Sequence, residues 1–392
     1  MHNTILSLNA GSSSLKFALF EATKLRVLMR GSVDTVGTAS CFRARDGEGN
    51  VLANDNLLGP HQEIVGTLLA WLDRHLGANM VIAAGHRVVH GGRDHYAPEV
   101  VTPALIAALE GLVPLAPLHQ LHDLVPMKVL GVARPGLPQV ACFDTAFHKD
   151  MRPVTTRFAL PHNYEKEGIR RYGFHGLSYE YIAGKLAELA PEVANKKIIV
   201  AHLGNGASLC AMEAGRSVDT SMGMTPLDGL VMGTRCGSID PGVVLHLLRE
   251  RGMAVEAVED LLYRRSGLLG VSGTSSDMSV LLKSKETRAC EAVELFVFRV
   301  TREIAALAAT LGGLDALVFT AGIGEHAPEI RRRICEKTAW LGLELDSEAN
   351  HTGSLRVSLP DSRVAAFIVP TDEEWVIASH TRDLLAKKAG TK

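Results

Sequence analysis

The sequence contains two similar hairpins, and their spacing constrains the fold more than any other feature. Apolar, strand-like runs flank a Gly/Ser turn at residues 9–14, and similar runs flank a Gly-Asn-Gly turn at residues 204–206. Turns of this composition between β-type segments are typical of hairpins. The two turns lie about half a chain length apart in a sequence of 392 residues. This repeat predicts a duplicated α/β domain, with one hairpin in each copy and a cleft between the copies.

The first turn has the composition of a phosphate-binding segment. Gly11 permits a tight turn, and the hydroxyls of Ser12 and Ser14 can donate hydrogen bonds to phosphate oxygens. Lys16 adds a positive charge. The segment is not a P-loop, because that motif has two glycines and leads into a helix. A plain hairpin without a ligand is the alternative, and the second hairpin favours phosphate binding.

The composition excludes several classes of protein. With 46% hydrophobic and 21% charged residues the chain is an ordinary globular protein, and its formal net charge of −2 predicts neither nucleic-acid nor membrane partners. Six cysteines lack C-x-x-C spacing, which favours reduced thiols. The first motif begins by Ile5, leaving no room for a signal peptide, and no apolar stretch is long enough to span a membrane. We therefore expect a cytoplasmic protein.

The pattern along the chain predicts two domains. A polar stretch near residue 150 indicates the junction, and a final helix is predicted to pack back on the first domain. The predicted domains are residues 1–149 with 371–392, and residues 150–370. Among the clearest elements are helices at 62–76 and 285–311 and a strand at 139–143.

A glycine segment follows a predicted strand in the second domain. Residues 317–320 read as a buried strand, residues 321–325 as a glycine loop, and Pro328 as the first residue of a helix. Such a loop lets a base or ribose approach the backbone, although close packing of a helix on a strand is the alternative. The arginine run 331–333 is expected on a solvated face of that helix.

Several histidines and arginines lie beside glycines. Arg87 stands in a glycine-flanked segment whose His86 and His90 resemble a zinc pair, but the Gly and Val content argues against a helix there. His119 and His175 adjoin apolar residues and could equally be core histidines. Arg235, in the glycine-rich segment 219–242, suits clamping of a phosphoryl group, with a structural salt bridge as the alternative.

Together these residues resemble the acetate kinase family of acyl-phosphate-forming kinases along nearly the whole chain. The matching segments are residues 8–17, 85–92, 143–148, 171–176, 202–208, 219–241, 319–325 and 370–374. The resemblance implies a duplicated actin/sugar-kinase/Hsp70-type (ribonuclease H-like) α/β fold and a homodimer. It also implies reversible transfer of the γ-phosphoryl group of ATP to acetate, giving acetyl phosphate and ADP, with Mg²⁺ or Mn²⁺.

The resemblance also assigns roles to individual residues. The catalytic residues are Arg87, Asp144, His175 and Arg235. The acyl substrate is bound by Arg87, Val89, Leu118, His119, Phe174 and Pro226. Asn9 and Glu373 contact the metal ion. The nucleotide is bound by Ser12, Ser14, Lys16, His202, Leu203, Gly204, Asn205, Gly206, Asp277, Met278, Ser279, Gly322, Ile323, Gly324, Glu325 and His326.

Elementary electrostatics fits these roles. At about 4 Å and an effective dielectric constant near 20, each pair of like charges costs roughly 4 kcal/mol, so a carboxylate meeting a polyphosphate needs cations. A carboxylate with a pKa of about 4 is already ionised at neutral pH and needs no general base. We therefore expect Asp144 to orient a cation rather than to accept a proton.

The sequence departs from the usual family pattern at several positions. Cys236 and Ser238 follow Arg235 closely, at positions where Ser and Asp are usual, and the thiol of Cys236 is expected to have a lowered pKa beside an arginine. Gln120 and His122 follow His119, Ser279 stands where an arginine is common, and His326 replaces a usual Asn. These changes leave three alternatives open: a propionate or butyrate kinase, a pyrophosphate-using enzyme, and an ATP-driven clamp without an acyl substrate.

Overall fold

A computed structural model describes residues 2–11, 14–36, 39–57, 61–77, 79–117 and 119–390. The chain divides into two compact units. The first unit comprises Met1–Ala146 and Asp372–Lys392, and the second comprises Phe147–Thr371. Within the described ranges, no helix combines the length and apolar character that crossing a membrane requires.

The first unit is built on an eight-stranded sheet. Its strands are β1 (Asn3–Ala10), β2 (Ser14–Glu21), β3 (Val27–Val36), β4 (Ala39–Asp46), β5 (Val51–Leu57), β6 (Met80–Val88), β7 (Glu99–Val100) and β8 (Gln139–Phe143). The strand order is β5-β4-β3-β2-β1-β6-β8-β7. Strands β1 to β5 pair antiparallel, whereas β1, β6 and β8 pair parallel.

The second unit is built on a five-stranded sheet. Its strands are β9 (Lys197–Leu203), β10 (Ala207–Glu213), β11 (Arg216–Thr220), β12 (Ala316–Thr320) and β13 (Ala365–Ile368). The order is β11-β10-β9-β12-β13, with the first three strands antiparallel and the last two parallel to β9 and to each other. Strands β3-β2-β1-β6-β8 of the first unit have the same arrangement. The predicted duplicated α/β fold is therefore confirmed.

Helices cover the sheets. Those of the first unit are α1 (His61–His75), α2 (Pro103–Glu110), α3 (Gln120–Ala133) and the C-terminal α16 (Glu373–Gly390). Those of the second unit are α4 (Pro153–Thr156), α5 (His162–Lys166), α6 (Gly176–Leu189), α7 (Pro191–Ala194), α8 (Pro241–Arg249), α9 (Val255–Arg264), α10 (Gly267–Ser272), α11 (Met278–Lys283), α12 (Thr287–Leu311), α13 (Ala321–His326), α14 (Pro328–Lys337) and α15 (Ser347–Thr352).

Each unit has its own core. In the first, Phe17, Phe42 and Trp71 pack together, with the rings of Phe42 and Trp71 edge to face at 5.0 Å. In the second, α12 turns a stripe of residues such as Phe296 and Val300 inward. Burying one such side chain contributes about 1.5–3 kcal/mol. The helices predicted at 62–76 and 285–311 and the strand at 139–143 are confirmed as α1, α12 and β8.

Helix α16 lies directly on the first sheet because Gly85 has no side chain. A Cβ at Gly85 would clash with Thr381 and would lie 2.5 Å from Cγ2 of Ile377. The Ser7 hydroxyl donates to the Glu374 carbonyl at 2.7 Å, which fixes the start of the helix against β1. This packing places Glu373 at the end of β1, beside the first hairpin turn.

Candidate active site

Arg87 and Asp144 form a buried ion pair in the first unit. Arg87 lies in β6 and Asp144 directly follows the parallel neighbour β8, so both reach the same edge of the sheet. Nε and Nη2 of Arg87 donate to Oδ2 of Asp144 at 3.0 and 2.6 Å. Burial alone would lower the pKa of Arg87, but the attraction of Asp144 and Glu373 raises it above its ordinary value. The guanidinium is therefore held in place and charged, with 12% of its side chain exposed.

The end of β1 carries an acidic cluster of Asn9, Glu373 and Glu374. Nδ2 of Asn9 donates to Oε2 of Glu373 at 2.9 Å and to Oε1 of Glu374 at 3.0 Å. Lys16 lies opposite Asn9 in the β1–β2 register. Desolvation raises the pKa of the Glu374 carboxyl, although Lys16 acts in the opposite direction. The cluster thus presents carboxylate and amide oxygens close to the charged Arg87, whose Nη1 lies 3.5 Å from Oδ1 of Asn9.

Two buried polar residues to which the sequence analysis assigned no site role, Asp123 and Gln120, form hydrogen bonds with the backbone of Val89 and His90. Oδ2 of Asp123 accepts from the Val89 amide at 2.7 Å. Gln120 accepts from the His90 amide at 3.2 Å and donates to the His90 carbonyl at 3.0 Å. Gln120, one of the departures from the usual family pattern, therefore fixes the backbone close to Arg87. Burial raises the pKa of Asp123 well above its ordinary range.

The other predicted residues of the first unit are placed as follows. Ser14 opens β2, and its carbonyl accepts from the Gly11 amide at 2.7 Å, which closes the turn. His119 directly precedes α3 and is partly buried. Ser12 and Leu118 lie outside the described residues. His86 is in a strand, and burial lowers its pKa to about 4, so it is a neutral core histidine.

In the second unit, His175 at the start of α6 lies against His202 of the β9–β10 hairpin. Their rings stack at 4.1 Å with an interplanar angle of 15°. His202 lies in β9, and His175 caps α6 in a left-handed conformation with φ of 57°. A non-glycine residue with positive φ is uncommon and is often found at functional sites.

Arg235 and His175 meet at the turn of this hairpin. A Cβ placed on Gly206 would lie 2.6 Å from Nη2 of Arg235 and 3.3 Å from Nε2 of His175. Arg235 is only 8% exposed, and its Nη1 donates to the Pro226 carbonyl at 2.6 Å. The Gly233 amide donates to the Asn205 carbonyl at 2.9 Å, which ties the arginine loop to the turn. The turn, an imidazole and a guanidinium thus lie together; we call this group the anion cradle, because all three can donate hydrogen bonds to an anion.

His148 is a further residue that the sequence interpretation did not select. Its Nε2 contacts the Phe174 carbonyl at 3.0 Å and its Nδ1 contacts the Ser217 hydroxyl at 2.7 Å. Desolvation lowers its pKa to about 4, so it is neutral. Gly173 packs against its ring, where a Cβ would lie 2.6 Å away. His148 therefore fixes the backbone that leads into His175. The sequence placed it only at the end of the family-matching segment 143–148, with no role assigned to it.

The glycine segment after β12 is a short helix, α13, and not the predicted loop. The expectation that residues 331–333 are solvated is also wrong for Arg331, which is 1% exposed. Its Nη1 donates to the carbonyls of Gly324 and Glu325 at 2.9 and 2.8 Å, satisfying the end of α13. Glu325 in turn accepts from the Ala321 amide at 2.8 Å. The buried guanidinium thus stabilises the end of this short helix.

The predicted nucleotide residues of the second unit fall into two groups. Gly322, Ile323, Gly324, Glu325 and His326 form α13, which adjoins the hairpin because β12 and β9 are parallel neighbours. Leu203 is fully buried, and Gly204 and Asn205 complete the turn. Asp277 instead caps α11 by accepting from the Ser279 amide at 2.7 Å, and Met278 is buried. No hydrogen bond of the described residues joins this second group to the hairpin.

The expectation of a lowered pKa for Cys236 is wrong. Burial raises the pKa of its thiol, because desolvation of the thiolate outweighs the nearby positive charge. Its neighbour Ser238 donates to Oδ1 of Asp228 at 2.7 Å, and the Gly229 carbonyl accepts from the Ser238 amide at 2.9 Å. Ser238 therefore braces the loop that carries Arg235.

The residues predicted to line the acyl pocket belong to different units, and each is described within its own unit. Val89 is buried in the first unit, and Phe174 and Pro226 are buried in the second. Each lies next to a charged or imidazole group of its own unit: Val89 follows Arg87 closely, Phe174 precedes His175, and the Pro226 carbonyl holds Arg235. The pocket itself stays a prediction.

Comparison with known proteins gives one consistent result. The profile of the Acetokinase family matches residues 4–379. Acetate kinase of Rhodopseudomonas palustris is 52% identical over 389 residues, covering 97% of this chain and 98% of that protein. Acetate kinase of Methylocella silvestris is 47% identical over 402 residues, covering 99% and 100%.

Solved structures agree. The crystal structure of Porphyromonas gingivalis acetate kinase is 38% identical with a TM-score of 0.85, covering 98% of this chain and all of that one. A propionate kinase from Francisella tularensis is 35% identical with a TM-score of 0.90, covering 97% and 99%. By sequence and by structure, the chain belongs to the acetokinase family.

Proposed function

We propose that this protein is an acetate kinase, which transfers the γ-phosphoryl group of ATP reversibly to acetate and forms acetyl phosphate and ADP by direct in-line transfer. The observation that carries this proposal is the convergence of Arg235 and His175 on the Gly204–Gly206 turn. Full-length relatives named acetate kinase, at up to 52% identity among those compared, support it. The predicted division into an acyl-substrate domain (1–149 with 371–392) and a nucleotide domain (150–370) is part of the proposal.

Each charged residue has a definite task in this reaction. Acetate and the γ-phosphate are both anionic, so their approach is opposed by several kcal/mol unless cations lie between them. Arg235 offers its planar fork to the oxygens of the transferred group, and His175 donates from Nε2. Arg87, oriented by Asp144, binds the acetate carboxylate. No side chain needs to remove a proton, because acetate is already ionised at neutral pH.

The metal ion belongs to the acidic cluster. Among the described residues no group of three or more His, Cys, Asp or Glu side chains could hold a metal alone. The oxygens of Asn9 and Glu373 are the hard donors that Mg²⁺ prefers, and Mg²⁺ characteristically keeps several waters and substrate phosphates as further ligands. The residues therefore fit Mg²⁺, or Mn²⁺, held jointly by Glu373, Asn9, water and ATP. The ion would neutralise phosphate charge.

The acceptor could also be propionate, and the similarity to the Francisella tularensis propionate kinase favours this second candidate. The predicted apolar lining, Val89, Leu118, Phe174 and Pro226 with the predicted His119, would distinguish neighbouring acyl chains by only about 1–3 kcal/mol per methylene. For the phosphoryl donor we propose ATP rather than pyrophosphate, because α13, whose residues are predicted to bind the nucleotide, packs against β9 beside the hairpin.

We also propose that the protein is a cytoplasmic homodimer. No residue of α8 is buried, although the helix is largely aliphatic. Val243 and Leu245 are 40% and 48% exposed. A second copy of the chain would cover this face. All six cysteines are free thiols, which fits a reducing compartment. Sedimentation of the wild type and of Leu245→Glu would test the dimer.

The experiment that tests the function is acyl-phosphate formation trapped with hydroxylamine. Acetate, propionate and butyrate are each supplied with ATP or pyrophosphate and Mg²⁺. The proposal requires that acetate with ATP gives the highest kcat/KM. Faster reaction with propionate would select the second candidate. ATP hydrolysis that is indifferent to every acid would reject both and favour an ATP-driven clamp.

A further inference from the structure

Three histidines of the second unit are each paired through Nδ1 with a serine hydroxyl. His148 pairs with Ser217 at 2.7 Å. His175 pairs with Ser208 and His202 with Ser178, both at 2.8 Å. The rings of His148 and His202 both pack near the buried ring of Tyr179, and His175 is linked to the Tyr179 hydroxyl through Ser208. Each pairing engages Nδ1 and so bears on which ring nitrogen carries the proton.

The pair at His175 continues into a third group. The Tyr179 hydroxyl lies 2.5 Å from the Ser208 hydroxyl, so Tyr179, Ser208 and His175 form a chain of hydrogen bonds. Ser208 in β10 and Tyr179 in α6 are both 0% exposed. The chain ends at Nδ1 of His175, and the opposite nitrogen, Nε2, faces Gly206 beside Arg235. The inner groups therefore contact Nδ1, the ring nitrogen opposite the one that faces the anion cradle.

His148 shows which way such a pair is polarised in this unit. Its Nε2 faces the Phe174 carbonyl, which can only accept, so the proton is on Nε2. Its Nδ1 consequently accepts from the Ser217 hydroxyl. The same polarity at His175 puts a donor, rather than a lone pair, in front of a phosphoryl oxygen. The opposite polarity would aim the Nε2 lone pair at an anion.

We propose that Tyr179 and Ser208 are positioning residues that hold His175 as the Nε2–H tautomer: Tyr179 donates to Ser208, Ser208 donates to Nδ1, and Nε2–H donates to the transferred phosphoryl group. His175 then acts as a hydrogen-bond donor while it is neutral. No covalent bond is made or broken in the chain. The catalytic part of this inference rests on the proposed function, but the tautomer itself does not.

The tautomer can be measured without any substrate. In protein labelled with ¹⁵N-histidine, two-bond couplings to the ring protons distinguish the Nε2–H from the Nδ1–H form. The His175 signals are identified by their absence in His175→Gln, and His148 provides an internal Nε2–H reference. We expect His175 to be Nε2–H in the wild type, and we expect Tyr179→Phe to populate the other tautomer.

Kinetics give the second readout. Loss of one ordinary hydrogen bond in the chain predicts a drop in kcat of about tenfold in Tyr179→Phe, with the KM for ATP and acetate little changed. Ser208→Ala is expected to lower kcat at least as much. Tyr181→Phe removes a phenol hydroxyl from the same helix outside the chain and is the matched control. Tyr179→Phe keeps the ring, so it remains informative if Ser208→Ala does not fold.

The outcomes separate this inference from the proposed function. An Nδ1–H tautomer for His175 in the wild type overturns the proposed hydrogen-bond relay from Tyr179 through Ser208 to His175, whatever the substrate. A Tyr179→Phe variant with wild-type tautomer and wild-type kcat also overturns it. An Nε2–H signal that shifts in Tyr179→Phe supports the relay even in a protein that does not phosphorylate short acids, and in that case only the proposed function fails.

Discussion

The two hairpins have the same strand topology, but the side chains beside their turns differ in charge. At the end of β1 the first hairpin meets carboxylates, with Asn9 bonded to Glu373 and Glu374. At the end of β9 the second hairpin meets His175 and Arg235. The two hairpins therefore share a strand arrangement, whereas the side chains packed beside their turns differ, and this difference underlies the proposed metal site at the first and phosphoryl site at the second.

The largest effect is expected from a substitution of Arg235, beside the β9–β10 hairpin. Arg235→Ala removes the guanidinium from the anion cradle and is expected to lower kcat by about 10³-fold or more, as loss of a transition-state arginine does elsewhere. Equilibrium binding of ATP should change much less. Arg235→Lys should rescue little, because an ammonium lacks the planar fork. Near wild-type turnover in Arg235→Ala would show that the second hairpin does not hold the transferred group.

The next prediction concerns the ion pair of the first unit. Asp144→Asn keeps the shape but removes the charge that orients Arg87, and we expect kcat to fall about 100-fold. Asp123→Asn is the matched control: it is buried nearby, and its raised pKa makes the neutral amide a closer substitute. Equal losses in both variants would contradict a special role for the Arg87–Asp144 pair.

The Mg²⁺ requirement of the reaction tests the role of the acidic cluster. Glu373→Gln should raise the Mg²⁺ concentration for half-maximal activity about 10- to 100-fold, because a carboxylate near the ion is lost. Glu374→Gln should shift it less, since desolvation already raises the pKa of Glu374. Titration of activity with Mg²⁺ at saturating ATP measures both. An unchanged Mg²⁺ curve for Glu373→Gln would remove the acidic cluster from the metal site.

The smallest expected effect is on stability. His148 is buried and neutral, with a pKa of about 4 against an ordinary value of 6.5. Below pH 6.5 the unfolded chain takes up a proton that the folded chain refuses until about pH 4, so stability falls as the pH falls through this window. At pH 5 the loss from this one group is about 2 kcal/mol.

Urea unfolding at pH 7 and pH 5 measures this loss. His148→Gln should be less stable at pH 7 but should lose less stability between the two pH values. His86, buried in the first unit with a pKa also lowered to about 4, provides the same test there with His86→Gln. A pH dependence identical in the wild type and both variants would contradict burial of neutral imidazoles.

The strands, the hairpins and the duplication follow from local patterns of the sequence, because alternation and turn glycines act over a few residues. Arg331 shows where such patterns fail. A run of three arginines is typical of a surface, and the burial of Arg331 depends on its hydrogen bonds to the carbonyls at the end of α13 and to Asn350. The prediction of a lowered pKa for Cys236 was wrong for the same reason, because the pKa depends on burial of the thiol, which the local sequence does not show.

Gln120 and Asp123 could have been found by periodicity. They lie on the same face of α3 as the buried Leu124 and Met127, at helical spacing. Polar residues at core positions of an amphipathic helix must find partners, and here the partners are the backbone groups of Val89 and His90. The pairing of His148 with Phe174 had no such signal, because it joins two segments through tertiary contact alone.

The most direct test of the account is a crystal structure with Mg²⁺, ADP, aluminium fluoride and acetate, in which the fluoride mimics the transferred phosphoryl group. The account predicts that it lies beside Gly206, within hydrogen-bonding distance of Arg235 and of Nε2 of His175. A fluoride group bound away from this hairpin, with neither residue in contact, would contradict it.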